Sequence, residues 1–219
     1  MKNKVVIITG ASSGIGEACA RELYKKKARL VLVARSETKL NELASEINNN
    51  GGSAILVKAD VSIESDCAKV IDKTIEAYGS IHVLINNAGI SMRALFLNLD
   101  LAVFNKVMQV NFYGTLYCTK YALKHILKNK GSVVGISSIA GHKGLPGRTA
   151  YSASKFAMTG FLEALRIENI NNGLHVLIAS PGFTASKIRS RALDSLGKAQ
   201  NDSPRNERKM MQPEEVAKQ

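Results

Sequence analysis

The chain has 219 residues, 45% hydrophobic and 22% charged with 4 prolines, which excludes a wholly disordered chain and fits a single domain over 1–219. Its 30 Lys and Arg against 18 Asp and Glu leave a net charge of +12, which admits nucleic acid, an anionic membrane surface or acidic small molecules as partners. The basic residues are scattered over nearly every predicted helix (Lys25-Lys26-Lys27, Lys39, Lys69, Lys73, Lys120, Lys124, Lys128, Lys130), and a solvated outer face accounts for most of them. No apolar run approaches the ~20 residues of a membrane span. The basic start Met1-Lys2-Asn3-Lys4 is followed by an apolar stretch that stops at Thr9-Gly10, short of the ~7–15 residues of an export signal. Cys19, Cys67 and Cys118 are odd in number and far apart, with no CxxC spacing. They read as reduced thiols of a cytoplasmic protein, and no metal site is assigned.

In chain order, the first β-branched run is a strand over 5–9. Thr9-Gly10-Ala11-Ser12-Ser13-Gly14-Ile15-Gly16 follows it directly and opens a helix. Glycines there allow a sharp turn and let a pyrophosphate approach amides at a helix N-terminus. The spacing is GxxxGxG, not the commoner GxGxxG, and a tight turn without ligand is the competing reading. A second strand, 30–34, ends Val33-Ala34-Arg35-Ser36. An NAD site places an acid here for the adenosine ribose. The acid is missing, and Arg35 offers a forked pair to a 2′-phosphate, with Ser12 and Ser36 as further donors. NADP(H) is favoured over NAD(H). Two other readings stand open: Glu37 as ribose acceptor, or Arg35 as a plain surface residue.

A third strand, 54–58, leads to a helix near 62–78 with Cys67, Val70, Ile71, Thr74, Ile75 and Tyr78 on one stripe. The fourth strand, 83–86, ends in Asn86-Asn87-Ala88-Gly89, small enough for close approach of a ligand. A long helix is expected over about 101–128, with Asn111 inside it, where Asn bends a helix or frees a carbonyl. The fifth strand, 132–137, brings Ser138 to the crevice outside the strands' carboxyl ends, with Ser137 its rival on the opposite side. A helix over about 149–171 carries Tyr151 and Lys155, one turn apart on one face. A free phenol titrates near ~10, and a neighbouring ammonium would lower that value into useful range. A structural pair, a core Tyr with a solvated Lys, is the alternative. The sixth strand is 175–179. Strand–helix alternation forces parallel pairing, so the fold class is α/β: an open, doubly wound parallel sheet with helices on both faces, three layers deep.

With these residues in place the sequence resembles the short-chain dehydrogenase/reductase family, over essentially the whole chain. The resemblance rests on TGxxxGxG (Thr9 to Gly16), Asp60-Val61, NNAG (Asn86 to Gly89), Asn111, Ser138, YxxxK (Tyr151, Lys155) and Pro181-Gly182 with Thr184. It implies a Rossmann-type fold and reduction of a ketone or aldehyde carbonyl to an alcohol, or the reverse. Tyr151 would be the general acid, Lys155 would hold the nicotinamide ribose and lower the phenol's pKa, and Ser138 would bond the substrate oxygen. Asn111 would tie Lys155 to a proton-relay water. Gly10, Ser12, Ser13, Gly14, Ile15, Gly16 and Arg35 would hold the adenosine phosphates, and Asp60 and Val61 would flank the adenine. Asn87, Ala88 and Gly89 would line the adenosine side, and Pro181, Gly182 and Thr184 would position the nicotinamide. It also implies a homodimer or homotetramer through the two long helices. Family members run further, through a last helix and a seventh strand, so the C-terminus reads as truncated, with the last strand missing and the sixth an open edge.

The stretch 185–212 is polar and is expected to be a mobile lid over the nicotinamide, with Lys187, Arg189, Arg191, Lys198, Arg205, Arg208 and Lys209 against Asp194, Asp202 and Glu207. Arg93 and Arg148 fall near the pocket mouth. Two substrate classes follow: a 3-oxoacyl group on an acidic carrier, or a lipid-like or steroid-like ketone in a pocket of Met92, Leu95, Leu145, Phe183 and Met210, with weak peripheral membrane contact. A non-catalytic NADP(H)-binding sensor is the alternative function. Nucleic-acid binding has no aromatic platform behind it. Pro213-Glu214-Glu215 has the signature of a helix start, but too little chain follows for a helix that stands alone.

Overall fold

The computed structural model describes residues 1–202, 206 and 209–219. Six parallel strands, β1 (Val5–Thr9), β2 (Arg29–Ala34), β3 (Ser53–Lys58), β4 (Val83–Asn86), β5 (Ser132–Ile136) and β6 (His175–Ala179), form one sheet in the order β3-β2-β1-β4-β5-β6. Every link between neighbours is parallel, because each connection is a helical crossover. The order reverses between β1 and β4, which leaves a crevice at their carboxyl ends where the glycine loop and the Asn86-to-Gly89 turn meet.

β1 is buried along its whole length, and its alternate residues feed two cores. Val6 and Ile8 pack with Leu30, Leu32, Leu40 and Ile47 beneath α1 (Gly14–Lys25) and α2 (Glu37–Asn49). Val5 and Ile7 pack with Ile71, Leu84, Ile126 and Leu162 under α3 (Glu64–Tyr78), α5 (Gly114–Lys128) and α6 (Thr149–Glu168). At about 25 cal/mol per Å² of apolar surface, these two layers are the main stabilising term.

The helix expected over 101–128 is three pieces: α4 (Leu101–Met108), a π-helical turn (Gln109–Tyr113) and α5. Asp100 caps α4, its Oδ1 accepting from Ala102 N at 2.8 Å. Asn111 lies in the widened turn, where such insertions gather at functional sites. α3 starts two residues later than expected, and α6 ends at Glu168 before a 3₁₀ turn over Ile170–Asn172.

The segment after β6 does not leave the body of the protein over its first part. Ala192 and Leu193 are buried, Leu193 N donates to Ser91 O at 2.9 Å, and Arg93 N donates to Leu193 O at 2.8 Å. The short α7 (Pro213–Lys218) does not stand alone either: a Gln212–Glu215 capping box starts it, and it packs on α1. Of the lid charges named above, Arg205, Glu207 and Arg208 lie outside the described residues. The outer side of β6 has no strand against it among the described residues. No helix among them is long and apolar enough to cross a membrane. Cys19, Cys67 and Cys118 are free thiols on α1, α3 and α5.

Candidate active site

The glycine loop is fastened from β4. Thr9 Oγ1 accepts from the backbone N of Asn87 and of Ala88, both at 3.0 Å. Asn87 Nδ2 donates back to Thr9 O at 2.9 Å and Gly10 O at 3.3 Å. Gly10 makes the turn at φ +67°, and a Cβ on Gly16 would stand 2.5 Å from Asn87 Nδ2 and from Gly10 O. Only bare backbone fits there. Ser13 is the extended residue before α1 and its side chain caps no amide, so the N–H groups at Gly14, Ile15 and Gly16 meet no side-chain cap. Those amides and the helix dipole suit a pyrophosphate, so the residues present fit a dinucleotide. Ser12, Ser13 and Gly14 open into a hollow shared with Lys39, Ser186 and Lys187. Ile15 packs toward the α1–α2 core.

At the end of β2, Arg35 is exposed, its Nη1 3.8 Å from Asp60 Oδ2. Glu37 pairs with Lys58, Oε2 to Nζ 3.3 Å, at the exposed end of β2 and β3. Asp60 Oδ1 takes Ser62 N at 3.0 Å and Ser62 Oγ at 2.7 Å. Val61 is buried where α5 begins: a Cβ on Gly114 would lie 2.8 Å from Val61 Cγ2.

The other half of the crevice lies beyond β5. Ser137 turns inward, bonding Thr159 Oγ1 at 3.3 Å, and Ser138 faces the crevice. Ser138 Oγ caps a 3₁₀ turn by accepting from Ala140 N at 3.2 Å, and it also hydrogen-bonds Tyr151. One turn along α6, Lys155 is buried, its Nζ donating to Ile136 O at 2.7 Å and lying 6.0 Å from the centre of the Tyr151 ring. A Cβ on Gly89 would come within 3.8 Å of that Nζ and 3.3 Å of Asn111 Oδ1, so the bare glycine keeps this approach open. Asn111 is fully buried. Its Oδ1 accepts from Ile90 N at 2.8 Å, and its Nδ2 donates to Ile90 O at 3.0 Å and Ser154 Oγ at 2.9 Å. It therefore clamps the turn after Gly89 to α6. Pro181 and Gly182 lead to Thr184, buried, with Oγ1 donating to Gly182 O at 3.2 Å; Ala185 N donates to Met211 O at 2.8 Å.

The electrostatics depart from expectation. Tyr151's phenol is raised above its ordinary value, chiefly by burial; the Ser138 hydrogen bond and the charges of Arg148 and Arg189 act against that rise. The lowering expected from Lys155 is not among the effects on the phenol. Burial instead lowers Lys155 itself to about 8, and its ammonium is directed at the Ile136 carbonyl.

Sequence reading misses two supporting groups. Lys39, one of the lysines assigned above to the solvated outer face, is half-buried and lines the same hollow as Ser12; its place in the first turn of α2, just past Arg35, is the available signal. Ser154 carried a signal too, lying inside YxxxK. Of the expected substrate-pocket residues, Met92 is fully buried core and Leu95 is exposed.

The short chain dehydrogenase family matches residues 4–196. The chain is 40% identical over 202 residues to an 11-beta-hydroxysteroid dehydrogenase A of Arachis hypogaea, covering 91% of this chain and 58% of the relative. It is 42% identical over 190 residues to an 11-beta-hydroxysteroid dehydrogenase of Pinus massoniana, covering 86% of this chain and 53% of the relative. The chain thus spans a little over half the length of these curated relatives. An alcohol dehydrogenase from the archaeon Thermococcus sibiricus, complexed with 5-hydroxy-NADP, superimposes with a TM-score of 0.88 at 26% identity, covering 99% of this chain and 88% of the other. With its Rossmann-like sheet, its glycine loop and a match over most of its length, the chain belongs to the short-chain dehydrogenase family of oxidoreductases.

Proposed function

We propose that the protein is an NADP(H)-dependent oxidoreductase that interconverts a carbonyl and an alcohol, with Tyr151 as acid and base. The observation that carries this reading is the meeting of Ser138, Tyr151 and Lys155 beyond β5, across the crevice from the uncapped amides of α1. The nicotinamide, when bound, supplies or takes the hydride. Ser138 bonds the substrate oxygen and fixes its place beside the phenol. Tyr151 gives that oxygen its proton in reduction and takes it back in oxidation. Lys155, buried at the base of the site, holds the ribose, and Asn111 keeps the Gly89 turn against α6 so that this approach stays open. Gly10 to Gly16 hold the pyrophosphate, Asn87 and Ala88 line the adenosine side, Asp60 and Val61 flank the adenine, and Pro181, Gly182 and Thr184 face the nicotinamide.

NADP(H) over NAD(H) is supported by Arg35 at the end of β2, by Ala34 where an acid would stand, and by Glu37 being engaged with Lys58. The neighbour complexed with 5-hydroxy-NADP points the same way. A lipid-like or steroid-like ketone is the favoured substrate class, in keeping with the names of the relatives; a 3-oxoacyl thioester is the alternative. Self-association would use the outer faces of α5 and α6, where Tyr113, just before α5, and Phe156 on α6 are exposed. The test is a panel of ketones and aldehydes followed by loss of NADPH absorbance, repeated with NADH. Consumption of NADPH with a steroid-like or aliphatic ketone is expected; no consumption with any carbonyl, despite NADPH binding, would leave only a sensor.

A further inference from the structure

The start of α6 carries a cation that neither the glycine loop nor the tyrosine–lysine pair accounts for. Arg148 is the residue before α6 and stands three positions ahead of Tyr151. Its guanidinium is drawn inward: Nη1 donates to Ser91 Oγ and to Met92 O, both at 2.8 Å. Both partners are buried, so the carbonyl and hydroxyl depend on this donor. The neighbouring backbone closes the same joint, Ala94 N donating to Gly147 O at 3.1 Å and Ser152 N to Arg148 O at 2.7 Å. Ser91 in turn receives Leu193 N at 2.9 Å, so the joint reaches the segment that follows β6.

We infer that Arg148 is a positioning residue of the acid–base site, tying the helix that carries Tyr151 to the 91–94 wall and supplying the fixed cation that a phenolate at Tyr151 faces. The inference rests on the reading of Tyr151 as the acid and base. Among the described residues two cations act on the phenol, Arg148 and, from the segment after β6, Arg189, which also donates to Thr184 O and to Met210 Sδ at 2.6 Å. On the turn packed against α6, His142 is engaged with Ser180 Oγ at 2.7 Å, and Lys143 is exposed. On α4, Lys106 is exposed, and on α6 itself Lys155 is turned to Ile136 O. Burial chiefly lowers Arg148; the like charges of Arg93 and Arg189 lower it further, and Tyr151 acts in the opposite direction. The cation is therefore held in place by its bonds to Ser91 and Met92, against the repulsion of its neighbours. A phenolate formed during turnover offsets that repulsion, which ties the two groups' charges together.

The phenol can be titrated without any substrate, by the ultraviolet absorbance of tyrosinate in the protein minus that of its Tyr151→Phe form. Arg148→Met removes charge and donor, Arg148→Gln keeps a donor for Ser91 and Met92 without the charge, and Arg148→Lys keeps the charge without the fork. The expected result is a Tyr151 titration moved up by about one pH unit in the Met and Gln forms and near the wild-type value in the Lys form. In alcohol oxidation, where the phenolate is the active form, the rising limb of kcat/KM moves up equally, about a tenfold loss below the limb. An unmoved titration in the Gln form overturns the inference, and so does a Lys form displaced as far as the Met form. Should the Met form fail to fold, the Gln and Lys forms decide between them. If Tyr151→Phe retained full turnover, the proposed function would fall while the titration would still report on Arg148 and the phenol.

Discussion

At the glycine loop the fastening bonds join the ends of two adjacent strands, Thr9 at the end of β1 and Gly10 after it to Asn87 and Ala88 after β4. Across the crevice, the wall beside Tyr151 is tied by side chains reaching between remote segments: Arg148 to Ser91 and Met92, and Arg93 to Gln200 and Asp202. The first half uses bare backbone and short polar groups, and its geometry is dictated by sheet order. The second uses long cationic side chains whose placement depends on where the chain returns after β6. A cofactor common to many reactions suits the first kind of construction, and a substrate particular to one suits the second.

That contrast can be broken in either half. Lys155→Met should cost turnover on the order of a hundredfold or more, read as kcat at saturating NADPH, because a buried ammonium at the base of the site has no substitute. Arg35→Ala should weaken NADPH about tenfold to a hundredfold and leave NADH unchanged, the loss of a charge-assisted contact to one phosphate. Equal weakening of both cofactors would place Arg35 elsewhere. Gly16→Ala should lower stability by about 1–3 kcal/mol, seen in thermal melts, since its Cβ would sit 2.5 Å from Asn87 Nδ2 and Gly10 O. Dinucleotide affinity should fall with it.

The last prediction is a pH dependence. Burial lowers Lys155 from 10.5 to about 8, so the unfolded chain binds the proton more tightly than the folded one. Stability therefore rises as pH climbs from about 8 to 10.5 and falls again on return, the charged form being the costly one below that window. Melts of wild type against Lys155→Met across that range should show the wild type gaining on the variant as pH rises. A flat difference would mean the ammonium is not buried in solution.

The six strands were legible because β-branched runs of four to six residues bounded by polar turns leave little choice in a parallel sheet. The GxxxGxG turn was legible because strand, loop and helix follow in fixed order. The π-helical turn at Gln109–Tyr113 was not, since an extra residue in a turn leaves the apolar period on either side almost unchanged, although Asn111 marked the place. Ala192 and Leu193 form a short buried stretch in a polar run, too little to predict that the chain returns to pair with Met92. The direction of the phenol's titration was also out of reach: spacing puts Lys155 one turn from Tyr151, but burial depth and the aim of an ammonium are tertiary facts.

Tyr151→Phe, with carbonyl turnover and NADPH affinity measured on the same preparation, tests the central claim most directly. The account requires NADPH to bind as in the wild type while turnover falls by about 10²–10⁴. Turnover that survives the loss of that hydroxyl would contradict it.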